Sequence, residues 1–212
     1  MRKSFNDYKL YVFDLDGTLY DQPKLRMIMA ARLVLYYLCH PFSIREMFIL
    51  RHFRIVKDSW TKNSQEKDII AKTASDMKAE EDAVANIVER WIYDSPLDVI
   101  KKTRDGKLIA LIERLRTEGK KVVILSDYPT EDKLAALDVT VDGQYGPDDP
   151  RIDELKPSPG GLLTVIKDMD VPAEDVLMIG DRQEKDGQCA IRAGVDHLIL
   201  ARNVSKRNID AL

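Results

Sequence analysis

The stretch Tyr11–Tyr20, YVFDLDGTLY, decides the fold. An apolar run breaks at Asp14-Leu15-Asp16 into Gly17 and Thr18. Tyr8 to Leu15 reads as a buried strand, so both acids fall at its carboxyl end, where open α/β sheets hold their ligands. The period of two in a strand points both acids the same way. Carboxylates that close repel unless a cation or a shared proton relieves them. An acid pair followed by glycine therefore points to a metal and an anionic ligand.

Three further segments repeat this arrangement. Lys121 to Ser126, KVVILS, is a second apolar strand and ends in a hydroxyl. Lys156 stands in KPSPGG ahead of a helical segment. Val176 to Gly180, VLMIG, is another strand, followed by Asp181 and then Asp186. Each places a polar group after an apolar run or before a helix, and in a parallel sheet those positions share one edge.

In these residues the chain resembles the haloacid dehalogenase-like (HAD) superfamily. The resemblance rests on FDLDGTL at Phe13–Leu19, LSDY at Leu125–Tyr128, LKPSPGG at Leu155–Gly161 and MIGDRQEKDG at Met178–Gly187, in that order. It covers residues 8–20 and roughly 97–200. It implies that Asp14 is the nucleophile of an aspartyl-phosphate mechanism, and that Asp16 is the general acid and then the general base. Ser126 and Lys156 would bind the phosphoryl group. A Mg²⁺ site would be formed by Asp14, the Asp16 carbonyl and Asp181, with Asp186 beside it holding Lys156 or a metal-bound water. Mg²⁺ takes oxygen ligands and keeps several waters, so few carboxylates suffice. Asp127 stands beside the phosphate site where many relatives carry Asn. An acid there repels an anion unless it faces away or binds a cation.

The rest of the chain fits an α/β enzyme with an insertion. Its 212 residues are 44% hydrophobic and 33% charged, enough for one full domain and a small accessory one. A net charge of −3 gives no general attraction to nucleic acid. No apolar leader precedes the first strand, and Cys39 and Cys189 read as small core residues of a reducing, cytoplasmic protein. Residues 107–118 form an amphipathic helix ended by Gly119. Thr130 caps the next, Val139–Val141 is a short strand, Leu162–Met169 a helix and His197–Leu200 a last strand. Strands alternating with helices imply a doubly wound, Rossmann-like parallel sheet.

Between Tyr20 and Pro96 there is no glycine. Helical patterns run over Lys24–Cys39, Ser43–Asp58, Gln65–Lys78 and Glu80–Tyr93. This all-helical insert resembles the family's type-one cap, which divides the chain into a core of residues 1–20 and 97–212 and a cap of 21–96. The hinges fall at Tyr20–Asp21 and Ser95–Pro96. Spacing puts Tyr36, Tyr37, Trp60 and Trp91 in the cap's core, and singles out none of Lys24, Lys57 and Lys62 as a Schiff-base lysine. From Lys24 to Lys62 eight Lys/Arg face two Asp/Glu. Arg45–Lys57 is basic and amphipathic: the leading reading is that the two helices pack and their outer faces are solvated, with attraction of an anionic phosphate, or a surface for a membrane or partner protein, as the alternatives. The expectation is a Mg²⁺-dependent phosphatase of a small phosphorylated metabolite. A phosphomutase of the β-phosphoglucomutase type and a non-catalytic phosphate-binding protein are the alternatives. Oligomeric state is not legible.

Overall fold

The computed structural model describes residues 3–59, 66–152 and 154–212. Five parallel strands form one sheet: β1 (Leu10–Phe13), β2 (Lys121–Leu125), β3 (Gly143–Tyr145), β4 (Val176–Gly180) and β5 (Asp196–Ile199), in the order β3-β2-β1-β4-β5. The chain winds outward from β1 to β3, then crosses back to β4 and β5. The switch point lies between β1 and β4, whose carboxyl ends carry Asp14 and Asp181.

β1 is apolar throughout because both faces are covered. Tyr11 and Phe13 join one core with Leu108, Ile112 and Leu115. Leu10 and Val12 join the other with Leu162, Val165, Met178 and Cys189. The strand stops at Phe13, two residues short of the expected Leu15, so Asp14 and Asp16 lie on the turn that follows.

The expected strand at Val139–Val141 does not form. Helix α7 (Glu131–Leu137) ends on Asp138 in the left-handed region, φ 57°, and the Val139 N–H closes the helix by donating to the Leu134 carbonyl. The chain first meets β2 at Asp142, whose N–H donates to Val122 O at 2.7 Å, and pairing begins at Gly143. Thr130 precedes α7 without capping it by its side chain, since its hydroxyl bonds Gln144 instead.

The chain between β1 and β2 is helical: α1 (Gln22–Cys39), α2 (Arg45–Ser59), α3 (Glu66–Met77), α4 (Glu81–Val88) and α5 (Leu97–Thr103) form the insertion, and α6 (Gly106–Thr117) follows it against the sheet. The expected Glu80–Tyr93 helix changes character partway, with α4 giving way to a π-helical segment at Glu89–Asp94. Gln65, Trp60 and Lys62 lie outside the described residues. Ile49, Phe53, Val56, Ile69, Val84 and Val88 make a separate core for this region. Its entry and exit are clamped together. Tyr20 and Arg104 form an antiparallel bridge, Asp21 N–H donates to Thr103 O and Asp105 N–H to Leu19 O, both at 2.8 Å. Cys189 is buried as expected, whereas Cys39 is exposed because it ends α1 on its outer side. No single described helix is long and apolar enough to cross a membrane.

Candidate active site

The two motif acids share one cavity but have different partners. Asp14 is buried. It accepts from Thr18 Oγ1 at 3.0 Å and is ion-paired with Lys156 Nζ. Asp16 is ion-paired with Lys133 at 2.6 Å and also accepts from the Tyr20 hydroxyl and, at 3.3 Å, from Ser126 Oγ. Gly17, at φ 92°, has the backbone that makes this turn. A Cβ there would stand 2.8 Å from Asp181 Oδ2, so glycine is also what admits the Asp181 carboxylate.

Lys156 is buried, and all three of its donors are used. They go to Asp14, to Asp186 Oδ1 at 2.7 Å and to the Leu125 carbonyl at 3.1 Å. Asp186 sits on a π-helical turn, Gln183–Gly187, and its second oxygen accepts from the Arg182 N–H. It packs so tightly that a Cβ on Gly180 would fall 2.3 Å from its Cγ. Asp127 lines the cavity with both oxygens engaged: one accepts from the Lys156 N–H at 3.0 Å and the other from Lys185 Nζ at 3.1 Å. Its extra charge thus meets a cation.

Asp14, Asp181 and Asp186 offer carboxylate oxygens within 4.8 Å of one another. Among the described residues Asp181 Oδ1 is buried without a hydrogen-bond partner. The nearest guanidinium, Arg202 Nε, is 3.8 Å from its other oxygen. Three crowded carboxylates face one ammonium. Burial, with Asp186 and Asp16, pushes Asp14 well above the usual carboxylate range against the pull of Lys156. Burial and Asp186 raise Asp181 likewise. Asp16 goes the other way: burial would raise it, but the Lys133 ammonium and the hydrogen bonds from Lys133 and Tyr20 hold it below that range. Burial disfavours the Lys156 ammonium, yet Asp14, Asp186 and Asp127 outweigh it and keep it charged. An orphaned acceptor among excess carboxylates fits a hard divalent cation such as Mg²⁺.

The cavity holds about 610 Å³. Its floor is this charged cluster. Its roof comes from the insertion, with Arg26, Met29, Leu33, Arg54 and Trp91. Trp91 therefore lines the cavity as well as packing edge-on against Tyr36, at 5.1 Å between ring centres. Lys57 of the insertion is buried with its ammonium 4.1 Å from the centre of the Tyr128 ring.

Several residues of this site carry no motif. Lys133 is buried with Thr130, Leu134 and Leu137 on one face of α7, and a lysine at that spacing was its only signal. Tyr20 directly follows the first motif. Arg207, almost at the end of the chain, is buried and donates to the carbonyls of Gly17 and Thr18, both at 2.6 Å, and to Asp105 at 2.9 Å.

A family model described as haloacid dehalogenase-like hydrolase matches residues 8–194. No curated protein sequence matches significantly. Among similar solved structures, each provisionally named, is the HAD hydrolase YfnB of Bacillus subtilis bound to magnesium. It is 15% identical with a TM-score of 0.62, over 91% of this chain and 88% of that one. A β-phosphoglucomutase of Thermotoga maritima is 16% identical at TM-score 0.61, over 96% and 90%. A phosphoglycolate phosphatase of Haemophilus somnus is 18% identical at 0.57, over 94% and 88%.

Proposed function

The chain belongs to the haloacid dehalogenase-like hydrolases, and within that family we propose that it is a Mg²⁺-dependent phosphatase of a small phosphorylated compound. One observation carries this reading: the ion-paired Asp14 lies beside Asp181, with its orphaned oxygen, on the floor of a roofed cavity. Asp14 and Asp181 would hold the ion, with Asp186 orienting Lys156. When bound, Mg²⁺ supplies positive charge that offsets the carboxylates and the phosphoryl oxygens.

Asp14 attacks phosphorus, the ester oxygen departs, and an aspartyl-phosphate forms. Asp16 is poised for both proton transfers. Lys133 and Tyr20 hold it ionised in the free protein. A monoprotonated phosphate ester brings the proton that Asp16 then passes to the leaving alkoxide. In the second half Asp16 takes a proton from the water that attacks the acyl-phosphate, releasing phosphate and restoring Asp14. Transfers of this kind contribute roughly 100- to 10,000-fold. Lys156, with every donor engaged, acts as a fixed charge that aims Asp14, while Ser126 reaches the phosphoryl group. Asp127 positions the Lys156 backbone and does not touch substrate. The second motif acid speaks for phosphate esters over halides, since a halide leaving group needs no proton. The helical insertion serves as a cap that excludes water and sizes the substrate. Its hinges belong at Tyr20–Asp21 and Thr103–Arg104, where the two chain crossings are bonded to each other, beyond the Ser95–Pro96 boundary that the spacing suggested.

The test is phosphate release from a panel of phosphorylated metabolites with Mg²⁺, with EDTA and with Asp14→Asn. Metal-dependent release that falls by roughly 10,000-fold or more in the variant supports the proposal. Phosphoryl transfer to a sugar hydroxyl with no phosphate released overturns it in favour of a mutase.

A further inference from the structure

The α1–α2 hairpin has a second apolar face that the fold does not use. A helix normally buries one apolar stripe and shows water a polar one. α1 buries Leu25, Met29 and Tyr37 inward, yet turns Met27, Val34, Leu35 and Leu38 outward along one face. Leu35 is 65% exposed and Leu38 73%. At the tip Phe42 is fully exposed, and Phe48 on α2 is also exposed. Outside residues 27–55 the large apolar side chains exposed among the described residues are only Leu163 and Ile191. Scattered apolar residues are ordinary on a surface, but a contiguous set marks a contact.

Charge says what covers it. Residues 27–55 carry four Lys/Arg against one Glu, within the wider Lys24–Lys62 span of eight against two, in a chain whose overall charge is −3. Arg51 lies on α2 beside the apolar residues, is exposed and enters no ion pair among the described residues. An apolar face beside an unneutralised arginine, in a basic stretch of chain, is complementary to an anionic lipid surface. α1 and the segment Pro41–Ser59 are bent by 120° to each other and keep their inner faces on the protein, so the hairpin suits lying on a bilayer, not crossing it. A groove of about 270 Å³ lined by Leu33, Met47, Leu50 and Ile55 borders the catalytic cavity, with which it shares Leu33, Arg54 and Asp58. The cavity thus adjoins the docking face.

We propose that the α1–α2 hairpin docks on an anionic lipid bilayer, with Leu35, Leu38 and Phe42 entering the interface and Arg51 pairing with headgroups. The test is co-sedimentation of the full chain with vesicles of phosphatidylcholine, or of phosphatidylcholine mixed with phosphatidylglycerol, with sedimentation velocity run alongside. Binding to the anionic vesicles that weakens with salt, falls roughly fivefold in Arg51→Gln and is lost in Leu38→Ser/Phe42→Ser supports the proposal. The double variant should keep the wild-type circular dichroism and its turnover of a soluble phosphate ester. A folded protein that stays in the supernatant when the anionic vesicles sediment overturns the proposal. So does a dimer dissolved by the same double substitution, which would make the face a contact between copies. Neither readout depends on catalysis, so failure here leaves the phosphatase reading standing.

Discussion

The carboxyl edge of the sheet and the outer face of the α1–α2 hairpin treat their awkward side chains in opposite ways. At the sheet edge charges are buried, and each is tied to fixed partners: Lys156 to two carboxylates and a carbonyl, Arg207 to a carboxylate and carbonyls. On the hairpin, apolar groups as large as Phe42 and Leu38 face water and touch little. Burying a charge is tolerable only with partners in place, so the first arrangement locks geometry. Exposing a phenylalanine locks nothing. The first region is built for positioning and the second for meeting something outside the fold.

The largest effect should come from breaking the charged network away from the chemistry. Arg207→Met leaves Asp105 buried with only the Leu108 N–H for company and strips the Gly17 and Thr18 carbonyls of their donor. Removing one partner of a buried pair costs about 3–5 kcal/mol. Urea unfolding should show that loss, and the melting temperature should fall on the order of 10 °C. Phosphate release should fall as well, because the turn carrying Asp14 and Asp16 is what Arg207 holds. A loss near zero would mean that the turn keeps its shape without the guanidinium.

The acid cluster should give the next effect. Asp181 is raised in the folded protein, so the native state binds its proton more tightly than the unfolded chain. The stability it contributes is complete below the ordinary carboxylate pKa and is lost as pH rises through the raised folded value. Metal-free protein should therefore lose more of this stability at pH 8 than at pH 4, and Asp181→Asn should remove this part of the pH dependence. Mg²⁺ at a hundred times its dissociation constant should stabilise the wild type by about 2.7 kcal/mol and the variant far less. Thermal melts at the two pH values, with Mg²⁺ and with EDTA, read all four states. Equal Mg²⁺ gains in the two proteins would place the ion elsewhere.

The two regions also differ in how legible they were. Asp14, Asp16, Ser126, Lys156, Asp181 and Asp186 could be read because each follows an apolar run or precedes a helix, and a parallel sheet brings such positions to one edge. Lys133 could not, because its signal is a lysine on the apolar face of a short helix, and only packing shows that it reaches Asp16. Arg207 is harder still. It reaches Gly17 from the other end of the chain through backbone carbonyls, which leave no mark in composition. The strand at Gly143–Tyr145 was displaced because a left-handed Asp138 turned Val139 back onto its own helix. In the insertion the charge imbalance was legible, but which apolar residues of α1 face outward was not. Both faces of that helix are apolar, and a pattern with two apolar sides has no preferred inside.

That ambiguity sets up the smallest expected effect. Phe53 and Phe42 lie in the same helical hairpin region and carry the same side chain, one fully buried and the other fully exposed. Phe42→Ser should change the urea-unfolding free energy by no more than about 0.5 kcal/mol, the range of ordinary surface substitutions. It removes no packed contact and opens no cavity. It should also raise solubility, since it takes the most exposed apolar side chain from the tip of the hairpin. A destabilisation of several kcal/mol, as expected for a core phenylalanine, would mean that Phe42 is packed inside the folded chain in solution. The outer face would then belong to the protein's own core and could not serve as a surface for a bilayer. A near-zero change leaves the residue with no role in holding the fold, so its hydrophobicity must be explained by what it touches outside the chain.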